Sequence, residues 1–129
     1  MSTLNVSNIT DGTTTVGTSY VVNGSAKAWV NFNGTGTVAI RDSTGISSIS
    51  DVSTGKYICS FASSMANATY VATVNTNASA DPVPTAVVIV RNEASSDYQV
   101  TSTDQSLNDP NAANKDYNVY FSLIHGDLA

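Results

Sequence analysis

The chain has 129 residues, enough for one ordinary domain but not two. Five basic against ten acidic residues leave a net charge of −5, which argues against a nucleic-acid partner, because phosphate neutralisation needs a basic patch. No apolar run approaches the roughly 20 residues of a membrane-spanning helix, so no membrane insertion is expected.

Residues 1–23 are sparsely apolar. Leu4, Val6 and Ile9 sit among Ser and Asn, Asp11-Gly12 is a turn signal, and Val16, Tyr20, Val21 and Val22 complete the apolar set. Such a segment is too polar to build a core. It is expected to be an extended arm, with Leu4, Val6, Ile9, Tyr20 and Val22 as attachment residues toward a neighbouring subunit. Residues 24–129 form the domain proper.

From residue 26 a period-2 pattern takes over. Ala26, Ala28, Val30 and Phe32 share one face, and Lys27, Trp29 and Asn31 the other. Asn33-Gly34-Thr35-Gly36 supplies turn chemistry, and residues 37–41 return, so a hairpin is predicted. Asp42-Ser43-Thr44-Gly45 reads as the next turn. Ile46, Ile49 and Val52 then recur every three residues, which requires either a bulge or one helical turn.

Ser53-Thr54-Gly55 reads as a hairpin loop with Gly55 in the left-handed region. Tyr57, Cys59 and Phe61 share a face of the following strand, and residues 63–68 form a connection that has room for a short helical turn. Residues 70–74 resume the alternation, and Pro82 and Pro84 mark residues 75–85 as a loop. Residues 86–91 are apolar on both faces, the signature of a central strand. Residues 92–97 read as a turn, 97–101 as a strand, 102–116 as a loop and 117–125 as a closing strand. The whole is an all-β pattern: an antiparallel β-sandwich, jelly-roll-like, of about eight strands behind an extended N-terminal segment.

The chemistry-bearing residues are few. Cys59 is the single cysteine, excluding an internal disulfide, and with the single His125 it falls short of a four-ligand zinc site in one chain. No phosphate loop, dinucleotide glycine pattern or Gly-x-Ser-x-Gly elbow occurs, and the nine Asp and one Glu form no catalytic pair by spacing. No catalytic residue, cofactor or resident metal is therefore expected. Asp104, Asp109 and Asp116 match no calcium-loop spacing, and a metal held by three copies of His125 on a symmetry axis is the less favoured reading of that residue. The first residues carry neither a basic nor an apolar signal region, so synthesis in a reducing cytosol is expected.

The stretch Gly24-Ser25-Ala26-Lys27-Ala28-Trp29-Val30-Asn31-Phe32-Asn33-Gly34-Thr35-Gly36-Thr37-Val38-Ala39-Ile40-Arg41 resembles a sequence found in virion proteins of tailed bacteriophages, especially marine phages and cyanophages. The resemblance continues through Ile46, Ser48, Ile49 and Asp51, then Thr54-Gly55-Lys56-Tyr57, Phe61, Met65 and Ala68-Thr69-Tyr70, and loosely at residues 119–129. Residues 76–116 match no such pattern. The family is met at the C-terminal ends of tail fibres and as short virion proteins. It implies a non-enzymatic structural protein, made in the host cytoplasm and residing in the virion, as a homo-oligomer (a trimer by its fibre association) in contact with other virion proteins. Only 23 residues precede the domain, which leaves no fibre shaft in this sequence.

Two roles are open on this reading. The favoured one is a tail-fibre or receptor-binding tip component that meets a host-surface glycan or protein through residues 76–85, 92–97 and 102–116. Its candidate contacts are Trp29, Asp81, Asn92, Tyr98, Asn108, Asp109 and Tyr117, with Tyr120 close by. The alternative is a cement or knob protein decorating the capsid through the arm.

Overall fold

A computed structural model describes residues 1–77, 86–91, 94–104 and 113–129. The chain folds as an all-β sandwich preceded by a small N-terminal unit. The strands are β1 (Asn8–Thr10), β2 (Thr15–Gly17), β3 (Ala28–Asn33), β4 (Ala39–Thr44), β5 (Ile46–Ser53), β6 (Lys56–Phe61), β7 (Val71–Thr76), β8 (Ala86–Arg91), β9 (Asp97–Asp104), β10 (Ala113–Asn114) and β11 (Tyr120–His125), with one helix, α1 (Thr18–Gly24). One sheet runs β4-β3-β11-β7, and the other runs β5-β6-β9, with β8 and the short β10 also paired to β9. Every pairing is antiparallel.

The alternation holds within β3, where Ala28, Val30 and Phe32 are buried and Trp29, Asn31 and Asn33 lie on the outer side, but Ala26 precedes the strand and is exposed. Asn33 closes the β3–β4 turn by donating from Nδ2 to the Thr35 carbonyl at 2.6 Å, while Gly36 takes φ +64°. The expected turn at residues 42–45 is corrected. Residues 42–44 continue β4, which regains pairing with β3 after a bulge at the Asn31/Phe32 step. Gly45 alone turns the corner from one sheet into the other at φ +71°, where a Cβ would stand 2.5 Å from the Lys27 carbonyl oxygen. Only glycine fits that corner.

The three-residue spacing of Ile46, Ile49 and Val52 is a matter of bulges. Register shifts at the Ile46/Ser48 and Asp51/Ser53 steps keep Ile46 and Ile49 turned inward and leave Val52 exposed. Residues 62–70 contain no helical turn; Met65 instead bridges to Leu128. A second correction concerns β8. Among the described residues it pairs with β9 alone, and Val87 and Ile89 remain 39% and 36% exposed. Its apolar outer side therefore reflects an uncovered sheet face and not a central position.

The core is built on aromatics. Phe32 stacks on Tyr120 with centroids 4.8 Å apart and meets the Tyr57 ring edge-on at 5.3 Å. Toward the other end Phe61 contacts Tyr70 and Tyr98. Val30, Cys59, Val100 and Ile124 are buried in the same cluster. Burial pushes the Cys59 thiol up to about 12. An aromatic disulfide reagent should therefore leave Cys59 untouched in native protein and titrate one thiol after denaturation; rapid labelling of folded protein would contradict the burial.

The N-terminal unit differs from the extended arm expected. Asp11 Oδ1 accepts hydrogen bonds from the backbone amides of Thr13 and Thr14 at 2.9 and 2.7 Å, and Gly12 takes φ +100°, closing a β1–β2 hairpin. These amides hold the Asp11 carboxyl below its ordinary range, the Thr14 contribution being the larger. Residues 18–24 then coil into α1, which has no side-chain N-cap and no buried residue. Nothing before Ala28 is buried.

Candidate binding surfaces

One end of the sandwich gathers two turns and the ends of four further strands. The β3–β4 and β5–β6 turns lie there, and so do Thr76, Ala86, Asp104 and Ala113, which bound the β7–β8 and β9–β10 connections. Arg91 and Ala94, which flank the β8–β9 connection, lie at the opposite end, because Arg91 pairs with Gln99 while Ala86 pairs with Asp104. Of the three loops expected to meet the host surface, the strand ends that bound residues 76–85 and 102–116 thus lie at one end and those that bound residues 92–97 at the other. Asp81, Asn92, Asn108 and Asp109 lie outside the described residues.

The loop-bearing end is fastened by polar side chains. Asp116 Oδ1 accepts from the Gly55 amide at 2.5 Å and from the Tyr57 hydroxyl at 2.6 Å, and that hydroxyl also lies 2.9 Å from the Gly34 carbonyl. Tyr120 and Ser102 join through their hydroxyls at 2.5 Å, and Ser102 donates to the Lys115 carbonyl at 2.7 Å. Lys115 in turn pairs with Asp104 at 2.7 Å. Of the three loop aspartates, Asp104 and Asp116 are thus engaged in holding backbone and lysine. Among the described residues, no three His, Cys, Asp or Glu side chains converge as a metal site.

Two candidate contacts are corrected. Tyr98 and Tyr117 are 0% and 7% exposed and belong to the core, as does Tyr120. Tyr98 exchanges a hydrogen bond with Ser122, and the Tyr120 hydroxyl accepts the Tyr117 amide at 3.1 Å. Buried tyrosines keep their rings dry while a polar partner satisfies the hydroxyl. Burial is the leading cause that raises the phenol pKa of Tyr57, Tyr98, Tyr117 and Tyr120; hydrogen bonding to Asp116 adds to it at Tyr57.

Trp29 lies on the outer side of the four-stranded sheet, partly exposed and directly opposite Leu123. Phe121 and Leu123, 45% and 41% exposed, extend this apolar strip along β11. His125 continues the same side beyond Leu123 and pairs with Val71 on β7. The proposed attachment residues also face solvent: Leu4, Val6, Ile9, Tyr20 and Val22 are all exposed, Leu4 at 82% and Tyr20 at 76%.

A third surface was not legible from spacing. On the outer side of the other sheet, β6, β8, β9 and β10 line a groove of about 440 Å³. Its residues come from four separated stretches of sequence, so no local motif announces it.

No family model, no curated protein and no solved structure matches this chain.

Proposed function

We propose that the chain is a non-enzymatic structural protein of a tailed-phage virion, acting as a tail-fibre or receptor-binding tip component. The observation that carries this reading is the 24–41 block. The sequence resembling phage virion proteins occupies the β3–β4 hairpin and supplies Phe32 to the centre of the aromatic core. A rigid sandwich with connections clamped at one end suits a receptor-facing module, because loops on a fixed scaffold carry binding residues. The engagement of Asp104 and Asp116 in structural bonds is in keeping with a role outside catalysis.

Capsid decoration is the second reading, favoured by the exposed apolar side chains of the N-terminal unit, since uncovered apolar groups of this kind commonly mark interaction sites. Immunogold labelling of intact virions separates the two. Gold confined to the tail is the expected result, whereas gold spread over the head would overturn the tip assignment in favour of decoration. A homotrimer is part of the proposal; light scattering on the purified chain should give three copies per particle, and a monomer would remove it.

A further inference from the structure

We infer that the groove on the outer face of the five-stranded sheet binds an acidic saccharide, with Lys56 and Arg91 as its anion contacts and the Thr101 hydroxyl as a hydrogen-bonding group at its floor. The inference rests on the host-surface reading for its biological sense, but its chemistry stands on the groove itself.

The register assembles the site. Lys56 on β6 and Ile89 on β8 both pair with Thr101 on β9, so the three side chains form one row across the sheet. With strands about 4.8 Å apart, Lys56 and Ile89 stand roughly 10 Å from each other across this row. Arg91 lies one step along the same face of β8, opposite Gln99, and Asn114 on β10 flanks the groove beside Thr103. The chain has only five basic residues, and two of them border this one groove. The ion pair found among the described residues, Lys115 with Asp104, involves neither of them.

Thr101 provides an independent sign. It is 6% exposed, and its Oγ1 has no hydrogen-bond partner among the described residues. Buried hydroxyls are normally satisfied, because water released from them must be replaced. The hydroxyl is covered as it stands, so a saccharide reaches it only as the flanking Lys56 side chain swings toward the anion, and the hydroxyl then gains the donor or acceptor it lacks. Saccharide hydroxyls supply both.

The remaining lining selects the ligand class. Val87 and Ile89 offer an apolar wall for the C–H face of a sugar ring, and Asn114 offers an amide for its hydroxyls. Two cations suit one carboxylate or sulfate group rather than a long polyanion, which the net charge of −5 would repel. Among the described residues no aromatic ring lines the groove, so base stacking, the usual anchor for single-stranded nucleic acid, has no platform there.

The test is an amide NMR titration of the full chain with tetragalacturonate, a sulfated carrageenan tetrasaccharide and sialyllactose, using maltotetraose and inorganic sulfate as comparisons. At least one acidic saccharide should shift the amides of Lys56, Ile89, Arg91 and Thr101, bind about tenfold or more tightly than maltotetraose and sulfate, and weaken with added salt. Lys56→Gln and Arg91→Gln should each lower that affinity by about fivefold or more. Thr101→Val keeps shape while removing the hydroxyl. It should weaken binding by about threefold and raise the unfolding midpoint, so lost affinity there is separable from lost folding. Binding of none of the three, shifts centred elsewhere, equal binding of maltotetraose or sulfate, or unchanged affinity in the variants would overturn the groove assignment. Virion labelling is independent of it: saccharide binding with gold on the head leaves the groove standing and removes the tail-tip role, and gold on the tail without saccharide binding does the reverse.

Discussion

Raising the pH above about 10 should unfold the sandwich cooperatively, with tyrosinate absorbance appearing in the same transition as the loss of β-structure. Tyr57 and Tyr98 are fully buried, and their phenol pKa values are raised, burial being the first cause in both. The sign follows from proton counting. Below the unfolded-state value both folded and unfolded tyrosines are protonated, and stability does not depend on them. Above it the unfolded chain releases protons that the folded chain keeps, so unfolding becomes progressively easier as pH rises. Each such tyrosine removes about 1.4 kcal/mol per pH unit, or about 3 kcal/mol per unit for the pair, from a domain stability of about 5–15 kcal/mol.

Cys59 acts in the same direction, its thiol being held up to about 12 by burial. Circular dichroism and ultraviolet absorbance followed together through an alkaline titration would read both events. Replacing Tyr98 by Phe should flatten the pH dependence by about 1.4 kcal/mol per unit, at the cost of its bond to Ser122. Ionisation of all six tyrosines with an apparent midpoint near pH 10 while the sheets stay intact would show that these hydroxyls are not buried.

Phe32→Ala should cost about 3–5 kcal/mol in urea unfolding, the range for removing a buried aromatic ring. Phe32 is fully buried, stacked on Tyr120 with an interplanar angle of 13° and edge-on to Tyr57. Those two tyrosines carry the bonds to Gly34, Ser102 and Asp116 that fasten the loop-bearing end. A cavity at Phe32 therefore loosens the loops as well as the core, and amide exchange near Gly34 and Gly55 should accelerate beyond the global change. Phe32→Leu, which retains most of the apolar volume, should cost markedly less. A loss of under about 1 kcal/mol for Phe32→Ala would mean that the ring is not packed as it stands here.

These consequences bear on the proposed role. A receptor-facing module needs connections held in place by a stiff body, and here stiffness comes from hydroxyls that bind backbone across the sheets. The groove on the five-stranded sheet lies apart from the Trp29 strip on the other sheet, so the sandwich has two outer faces of different chemistry. One is an apolar strip of Trp29, Phe121 and Leu123, and the other is a basic, hydroxyl-bearing groove.

Much of the strand framework was legible because antiparallel strands with one dry face must alternate. Ala28, Val30 and Phe32, then Tyr57, Cys59 and Phe61, were readable as sets that share a face, and Gly55 as a left-handed turn residue. The helix α1 had no such signature. It contains β-branched Val21 and Val22, starts at a glycine without a capping side chain and buries nothing, so neither propensity nor periodicity marks it.

What the residues determined on their own is local: which positions share a face, where glycine must turn the chain, and that a period-2 pattern recurring along the chain forms strands. The tertiary structure decided the rest, because alternation says that two residues share a side but not which side is covered. Tyr98 and Tyr117 were candidate surface contacts until the aromatic core took them in, and residues 86–91 looked central until their outer face was left bare. Lys56, Arg91, Thr101 and Asn114 became neighbours only through pairing with β9, a long-range choice set by the packing of the whole core and not by any short stretch of sequence.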